Sequence, residues 1–260
     1  MSNNFVETET RGRVLWVTIN RPEVMNSLHP PCHEELDQIW NNFRDDPELW
    51  IAVLTGAGNK AFSAGNDLKW TAENQSKLPT PPESGFGGLT QRFDLNKPII
   101  AMVNGFALGG GFEMALSCDL IIAAESASFG LPEPKVGLYA AAGGTQRLVR
   151  HLPLKVAMGM MLTAKRITAM EARDLGLVNE VVAPDQLEAA TENWVEQILA
   201  CSPLSIRATK ETAMGSLDRP LPESIQPGQY PSVRDLFSSE DMVEVPLAFA
   251  QKRAPAWKGR

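Results

Sequence analysis

The stretch that decides the fold reads Asn104-Gly105-Phe106-Ala107-Leu108-Gly109-Gly110-Gly111-Phe112-Glu113-Met114-Ala115-Leu116. It predicts a strand, a glycine turn and the start of a helix. It has neither the Gly-Lys-Ser/Thr of a phosphate loop nor the GxGxxG spacing of a dinucleotide-binding turn. A ligand can touch the backbone of glycines, and the first amides of a helix point toward any negative oxygen placed there. The stretch therefore predicts an oxyanion site, although a glycine cluster taken alone is equally typical of close helix packing.

A second carboxylate follows twenty positions later, in Ser128-Phe129-Gly130-Leu131-Pro132-Glu133-Pro134. The two prolines restrict the backbone around Glu133 and fix its direction. A lone glutamate is usually a solvated surface residue, but the pairing with Glu113 beside a glycine turn favours acid–base chemistry. The same region contains another glycine turn into a helix, Ala142-Gly143-Gly144-Thr145-Gln146-Arg147-Leu148. We therefore take Glu113 and Glu133 as the candidate acid and base.

Short apolar runs alternate with helical patterns in the first half of the chain. The spacing of apolar residues predicts a helix over 33–44. Apolar runs followed by turn residues predict strands at 14–19, 51–54, 98–103 and 120–123. Strands separated by helices favour an α/β core with largely parallel strands, while turn signals such as Asn104-Gly105 also allow antiparallel pairs.

The second half of the chain has a different pattern. From about Leu152 onward it is mostly helical, with one short strand predicted at 178–182, which indicates a helical carboxy-terminal subdomain. Between Lys77 and Gly88, proline and glycine predict a surface loop, which is either a mobile lid or an inert connector.

Composition limits the possible functions. The 260 residues carry a formal net charge of −7, which argues against a general nucleic-acid binder. No apolar run reaches the length of a membrane span, and the amino terminus lacks the pattern of a secretory signal, so we expect a cytoplasmic protein. Three widely spaced cysteines suit neither a disulfide framework nor a metal site. We expect no bound metal.

A fourth motif, Ala61-Phe62-Ser63-Ala64-Gly65-Asn66-Asp67-Leu68-Lys69, completes a recognisable set. Together with the segment from Asn20 to Ser27 and the two glutamate motifs, it resembles the enoyl-CoA hydratase family, also called the crotonase superfamily, over nearly the whole chain. The resemblance implies an α/β crotonase (ClpP-like) spiral of ββα units with a helical C-terminal subdomain. It implies a core domain over 1–195 and a trimerisation subdomain over 196–260, in homotrimers that pair into hexamers.

The resemblance also implies residue roles. In this family the backbone amides matching Asn66 and Gly110 hold the thioester oxygen of an acyl-CoA substrate, while glutamates matching Glu113 and Glu133 handle water and proton. Coenzyme A is then part of the substrate, so no separate cofactor is expected. The residues expected along the path of the coenzyme A moiety are Val24, Ala64, Asn66, Asp67, Leu68 and Gly110, with Lys252 a candidate for its phosphates.

Two glutamates favour one reaction over the others found in the family. Isomerases of this fold commonly keep only the carboxylate matching Glu133, so this chain is predicted to be an enoyl-CoA hydratase that adds water reversibly across a 2,3 double bond. Many hydratases have Pro-Gly where this chain has Ala140-Ala141, a departure that affects water placement or acyl-chain shape. A non-catalytic or RNA-binding member of the superfamily is disfavoured by the intact glutamate pair and the acidic charge.

Several segments resemble one branch of the family, the crotonobetainyl-CoA hydratases (carnitinyl-CoA dehydratases). Phe43-Arg44-Asp45-Asp46-Pro47 is one of them. A quaternary ammonium would need aromatic or carboxylate partners, for which Trp70, Phe86, Tyr139 and Glu83 are the candidates. Because the run from Leu138 to Ala141 departs from that branch, we predict a general enoyl-CoA hydratase with an apolar acyl pocket partly shaped by Tyr139. Crotonobetainyl-CoA hydratase and enoyl-CoA isomerase remain the alternatives.

Overall fold

The computed structural model describes residues 5–74 and 81–260. The strands are β1 (Val6–Arg11), β2 (Val14–Ile19), β3 (Ile51–Gly56), β4 (Ala61–Ser63), β5 (Ile99–Val103), β6 (Phe106–Leu108), β7 (Leu120–Ala124), β8 (Ser128–Gly130), β9 (Ile167–Thr168) and β10 (Glu180–Val182). The helices are α1 (Pro30–Asp45), α2 (Leu68–Glu73), α3 (Gly110–Ala115), α4 (Gly144–His151), α5 (Leu154–Thr163), α6 (Ala169–Asp174), α7 (Leu187–Leu199), α8 (Pro203–Ser216), α9 (Leu221–Ser224), α10 (Pro231–Phe237) and α11 (Glu240–Gln251).

Two sheets form the core. The larger has the order β1-β2-β3-β5-β7-β10 and the smaller has the order β4-β6-β8-β9. Within the larger sheet only the β1–β2 hairpin is antiparallel, so the prediction of a largely parallel α/β core is confirmed. Strand pairs β3–β4, β5–β6 and β7–β8 each leave the larger sheet and enter the smaller one, and this repeated step produces the predicted spiral of ββα units.

The Asn104-Gly105 turn moves the chain between sheets rather than closing an antiparallel pair. Strand β5 ends before it in the larger sheet and β6 starts after it in the smaller sheet. The Asn104 side-chain amide donates to the carbonyl oxygens of Gly56 and Gly58, at 2.6 and 2.7 Å, and so ties together two successive turns of the spiral. A side chain at Gly105 would overlap the Lys60 carbonyl, which is why glycine is needed here.

Apolar side chains pack on both faces of the larger sheet. One cluster, between this sheet and helices α1 and α3, includes the fully buried Trp40, Phe43, Phe62, Phe112 and Phe129. A second cluster covers the opposite face and brings in helix α7. Burial on both faces explains why the parallel strands are near-continuous apolar runs.

The carboxy-terminal part is helical, as predicted. Helix α7 packs on β5 and β7 and includes residues 195 and 196, and the division into two domains at this point stays a prediction. The final residues fold back on it: the Trp257 indole donates to the Ala200 carbonyl at 2.9 Å.

The segment predicted as a surface loop over 77–88 is buried at its end. Residues 77–80 lie outside the described part of the chain. Phe86–Gly88 form a short 3-10 helix whose three residues are all buried, so this end is not a lid. Within 5–74 and 81–260, no helix is long and apolar enough to cross a membrane.

Candidate active site

Each glycine of the turn before α3 has its own structural reason. Gly109 has φ +54° and ψ −129°, and a Cβ there would lie 3.0 Å from the Glu133 Oε1 atom. A Cβ on Gly110 would lie 2.5 Å from the tip of the Phe86 ring, and one on Gly111 would overlap the Ser63 carbonyl. Close packing against a neighbouring backbone thus explains Gly111, whereas the Cβ position of Gly109 faces the Glu133 side chain.

The loop before α2 leaves one backbone amide without an acceptor. The amides on either side are paired: Ala64 N–H donates to Met25 O (3.0 Å), and Asp67 N–H donates to Leu28 O (2.8 Å). Gly65 N–H donates to the Ser63 hydroxyl. In the part of the chain that the structure describes, the Asn66 amide has no protein partner, so it is available to a ligand.

The Asn66 amide lies beside a second available amide. A Cβ on Gly65 would lie 2.9 Å from the Gly110 nitrogen, so the two backbone segments touch. Gly110 is the first residue of α3 and its N–H has no acceptor within the helix or among the other described residues. The structure therefore brings close together the backbone segments that carry the two amides which the family resemblance implies for the thioester oxygen.

Glu113 projects from α3 and is almost fully buried, with 3% of its surface exposed. Its Oε1 accepts the Gly144 N–H at 2.7 Å, and the Ala142 amide gives further support. Burial, together with the charge of Glu133, outweighs these amides and raises the pKa of Glu113 to about 7. A glutamate in this environment can carry or release a proton near neutral pH.

Glu133 begins a 3-10 helix that follows β8. Burial raises the pKa of its carboxyl group. Its Oε2 atom is buried and has no protein partner among the described residues. A buried carboxylate oxygen without a partner is costly unless a ligand or water completes it, so Oε2 can accept a hydrogen bond from a ligand, while Oε1 is the atom that faces Gly109.

Two arginines near the site were not singled out from the sequence. Arg147 donates to the Thr90 carbonyl at 2.7 Å, and its charge acts on Glu113. Arg21 forms a buried ion pair with Asp67 at 2.9 Å. Arg147 lies in the glycine-turn motif before α4, but its partner is 57 residues away, so spacing alone could not reveal the contact.

The residues predicted along the coenzyme A path fall into two groups. Val24 ends a short 3-10 helix, and the carbonyl oxygen of the following residue, Met25, accepts the Ala64 N–H. Leu68 is 47% exposed at the start of α2. The Asp67 side chain is turned inward, where it caps α2 through the Trp70 amide as well as pairing with Arg21. Lys252 is on a different element, where it caps the carboxy-terminal end of α11.

Of the four side chains considered for a quaternary ammonium, two are committed elsewhere. Phe86 is buried against Gly110, and Glu83 lies on a polar groove with Asp37 and Arg92. Trp70 is half-buried against His29, and Tyr139 is 67% exposed.

The arrangement can stabilise an enolate and move protons beside it. Two free amides can hold a developing oxyanion, and two carboxylates of raised pKa can exchange one proton. Over the described ranges, no cluster of His, Cys, Asp and Glu could hold a metal ion.

Comparisons with known proteins agree with this chemistry. The sequence model of the enoyl-CoA hydratase/isomerase family matches residues 9–260. The chain is 44% identical over 255 residues to the carnitinyl-CoA dehydratases of Salmonella typhi and Escherichia coli K12, covering 96% of both chains in each case. Its fold is similar to that of an enoyl-CoA hydratase from Mycobacterium marinum (TM-score 0.91, 38% identity, 98% of this chain and 99% of that one). A carnitinyl-CoA hydratase from Mycobacterium avium is also similar (TM-score 0.78, 43% identity, all of both chains). The chain belongs to the enoyl-CoA hydratase/isomerase family.

Proposed function

We propose that the protein is an enoyl-CoA hydratase that uses both Glu113 and Glu133. The observation that carries the proposal is the buried Glu113 and the half-buried Glu133, both of raised pKa, next to two backbone amides without partners among the described residues. An isomerase that only moves a proton needs one carboxylate, whereas hydration needs one group to activate water and a source of the α-proton.

The reaction balances with one shared proton. One glutamate accepts a proton from water as the oxygen bonds to C3 of the enoyl thioester, and the π electrons move onto the carbonyl oxygen. The amides of Asn66 and Gly110 hold this enolate oxygen. The other glutamate, which holds the one proton of the pair at the start, gives that proton to C2, so that H and OH have been added and the pair again holds one proton. Removing one oxyanion donor typically costs ~10²–10³ in rate.

A crotonobetainyl-CoA substrate is the second candidate, because relatives 44% identical over nearly the full chain are named carnitinyl-CoA dehydratases. A panel containing crotonyl-CoA, longer enoyl-CoA esters and crotonobetainyl-CoA tests both candidates through loss of the conjugated-thioester absorbance. A preference of tenfold or more for the betaine in kcat/KM would establish the second candidate. Absence of hydration of every ester would overturn the proposal.

We propose further that the coenzyme A moiety runs along Val24, Ala64 and Leu68, with only backbone atoms of Asp67 available to it. This path is supported by the backbone hydrogen bonds that hold the 24–28 segment beside the 64–67 segment. Lys252 is proposed as a phosphate contact on the basis of its charge alone. A cytoplasmic location is proposed as well, supported by three free cysteines.

A homotrimer or a hexamer is the proposed assembly. The carboxy-terminal helices expose large apolar side chains, which a soluble monomer rarely does over a wide patch. They are Met214, Leu217, Leu221, Ile225, Phe237, Met242, Val243, Val245, Leu247 and Phe249.

A further inference from the structure

The Gly110 amide depends on a side chain from another segment. The Phe86 ring abuts Gly110 so closely that a Cβ on the glycine would lie 2.5 Å from the ring tip. Phe86 is buried, so the ring has a fixed place between the segment over 85–90 and the start of α3. A shift of this ring changes where the first amide of α3 can lie.

Phe86 is in turn held by a histidine on α1. The Gly87 N–H, the next amide along the chain, donates to His33 Nδ1 at 2.9 Å. The His33 ring meets the Phe86 ring edge to face, with centroids 4.5 Å apart. His33 therefore contacts both the backbone and the side chain that back Gly110.

This hydrogen bond fixes the protonation state of His33. A backbone N–H can only donate, so Nδ1 must carry no proton and the ring must be neutral. Burial, helped by the nearby His29, lowers the pKa of His33 to about 4, which keeps the acceptor available at neutral pH. The exposed fraction of His33 is 2%.

The rest of the segment is fixed independently. The Trp40 indole donates to Gly87 O at 3.0 Å, and Arg147 donates to Thr90 O. The Phe86 N–H itself donates to the Thr90 hydroxyl at 2.8 Å. The segment thus lies between α1 and α4, and His33 is the residue of α1 that meets the Phe86 ring.

We propose that His33 is a positioning residue, which sets the Gly110 amide of the oxyanion hole by holding Phe86 through the Gly87 hydrogen bond. The inference rests on the proposed function, since it assigns Gly110 to a thioester oxygen. Removal of the acceptor should loosen Phe86 and misplace the amide without touching the coenzyme A path.

The test compares three variants on the same helix. His33→Leu removes the acceptor, His33→Asn keeps an oxygen in place of Nδ1, and Leu36→Val is a conservative core change on α1 that leaves the His33–Gly87 hydrogen bond in place. We expect His33→Leu to lower kcat for crotonyl-CoA hydration by about 10- to 100-fold with KM nearly unchanged, because a donor displaced by a fraction of an ångström loses much of its effect. His33→Asn should recover most of this loss, and Leu36→Val should keep the wild-type kcat.

A second readout does not depend on turnover. Butyryl-CoA labelled with ¹³C at the carbonyl has no double bond to hydrate, and the infrared frequency of its carbonyl falls when hydrogen bonds polarise it. We expect a downshift on binding to the wild type and to Leu36→Val, and a smaller one with His33→Leu. Should His33→Leu not fold, Phe86→Leu shortens the ring contact and should give the same loss.

The outcomes separate the two proposals. A wild-type downshift that His33→Leu and Phe86→Leu both retain, or an Asn variant no better than Leu, would overturn the role of His33 and leave the hydratase proposal intact. A wild-type protein with no downshift would overturn the oxyanion hole itself.

Discussion

Glu113 is a residue whose position favours catalysis at the expense of stability. Its carboxyl group is buried and close to Glu133, so ionisation costs more in the folded protein than in the unfolded chain. The folded-state pKa of about 7 lies above the ordinary value of 4.5. The folded state therefore binds an extra proton between these values, and stability falls as the pH rises through them.

Glu113→Gln should stabilise the protein at high pH. The gain should be absent below pH 4.5, grow through pH 7 and level off above it, reaching roughly 3 kcal/mol, because glutamine stays neutral and can still accept the Gly144 amide. Thermal unfolding at pH 4 and pH 8.5 measures it, with the exposed Glu125→Gln as the control. An equal melting temperature for the wild type and Glu113→Gln at pH 8.5 would contradict the raised pKa.

The predicted site residues differ in how much of their setting could be known in advance. Glu113 and Glu133 could be singled out because each stands in a glycine- or proline-rich motif, but their contacts come from other motifs: Glu113 accepts the Gly144 amide and Glu133 lies against Gly109. The ion pair of Arg21 with Asp67 joins positions 46 residues apart, and only the folded chain brings them together. Short-range pattern indicates the reacting groups, whereas long-range packing decides what holds them.

At the scale of elements, the long buried strands were predictable and the short ones were not. Strand β2 lies where its apolar run predicted it, because it is buried on nearly every residue. Strands β4, β6 and β8 have three residues each, too few for alternation to be recognised, and they exist because the spiral aligns them side by side. Strand β1 is exposed on most residues, so its polar sequence gave no apolar run.

The start of α3 supplies a prediction about packing. Gly111→Ala should destabilise the protein by roughly 1–3 kcal/mol or more, because the new methyl group meets the Ser63 backbone, which cannot rotate away. Gly159→Ala on α5 is the matched control: it faces open space in a helix and should stabilise by about 0.5–1 kcal/mol. Urea unfolding measures both, and a neutral Gly111→Ala would show that the turn packs differently.

The loop before α2 supplies a second prediction about stability. Arg21→Met leaves the buried Asp67 carboxylate without its cation and should cost roughly 3–5 kcal/mol. Asp67→Asn removes the charge but still caps α2. The variant that carries both Arg21→Met and Asp67→Asn should therefore lose less free energy of unfolding than the sum of the losses in the two single variants. Because Asp67 follows Asn66, Arg21→Met should also lower kcat. Strictly additive effects on unfolding would contradict a buried, coupled pair.

At the scale of the whole molecule, the apolar surface of the carboxy-terminal helices requires an explanation. Phe249 is 87% exposed and Phe237 is 63% exposed, which fits a surface that is covered by another copy of the chain. The amino-acid composition could not reveal this exposed apolar surface, because the same phenylalanine, leucine and valine residues could equally have been buried in a hydrophobic core.

Phe249→Asp should weaken the assembly, because a carboxylate cannot be buried in an apolar interface without a partner. Light scattering should give three or six times 28.4 kDa for the wild type and a smaller mass for the variant. Thr8→Asp on the exposed edge strand β1 is the control and should keep the wild-type mass. A monomeric wild type would contradict the proposed assembly.

The most direct test of the two-glutamate site is the rate of crotonyl-CoA hydration by the wild type, Glu113→Gln, Glu133→Gln and the double variant. The absorbance of the conjugated thioester gives kcat and KM for each. Because each glutamate handles a different proton, either single change should lower kcat by ~10²-fold or more with KM little changed, and the double variant should be scarcely worse. A single variant that hydrates crotonyl-CoA at nearly the wild-type rate would contradict the account.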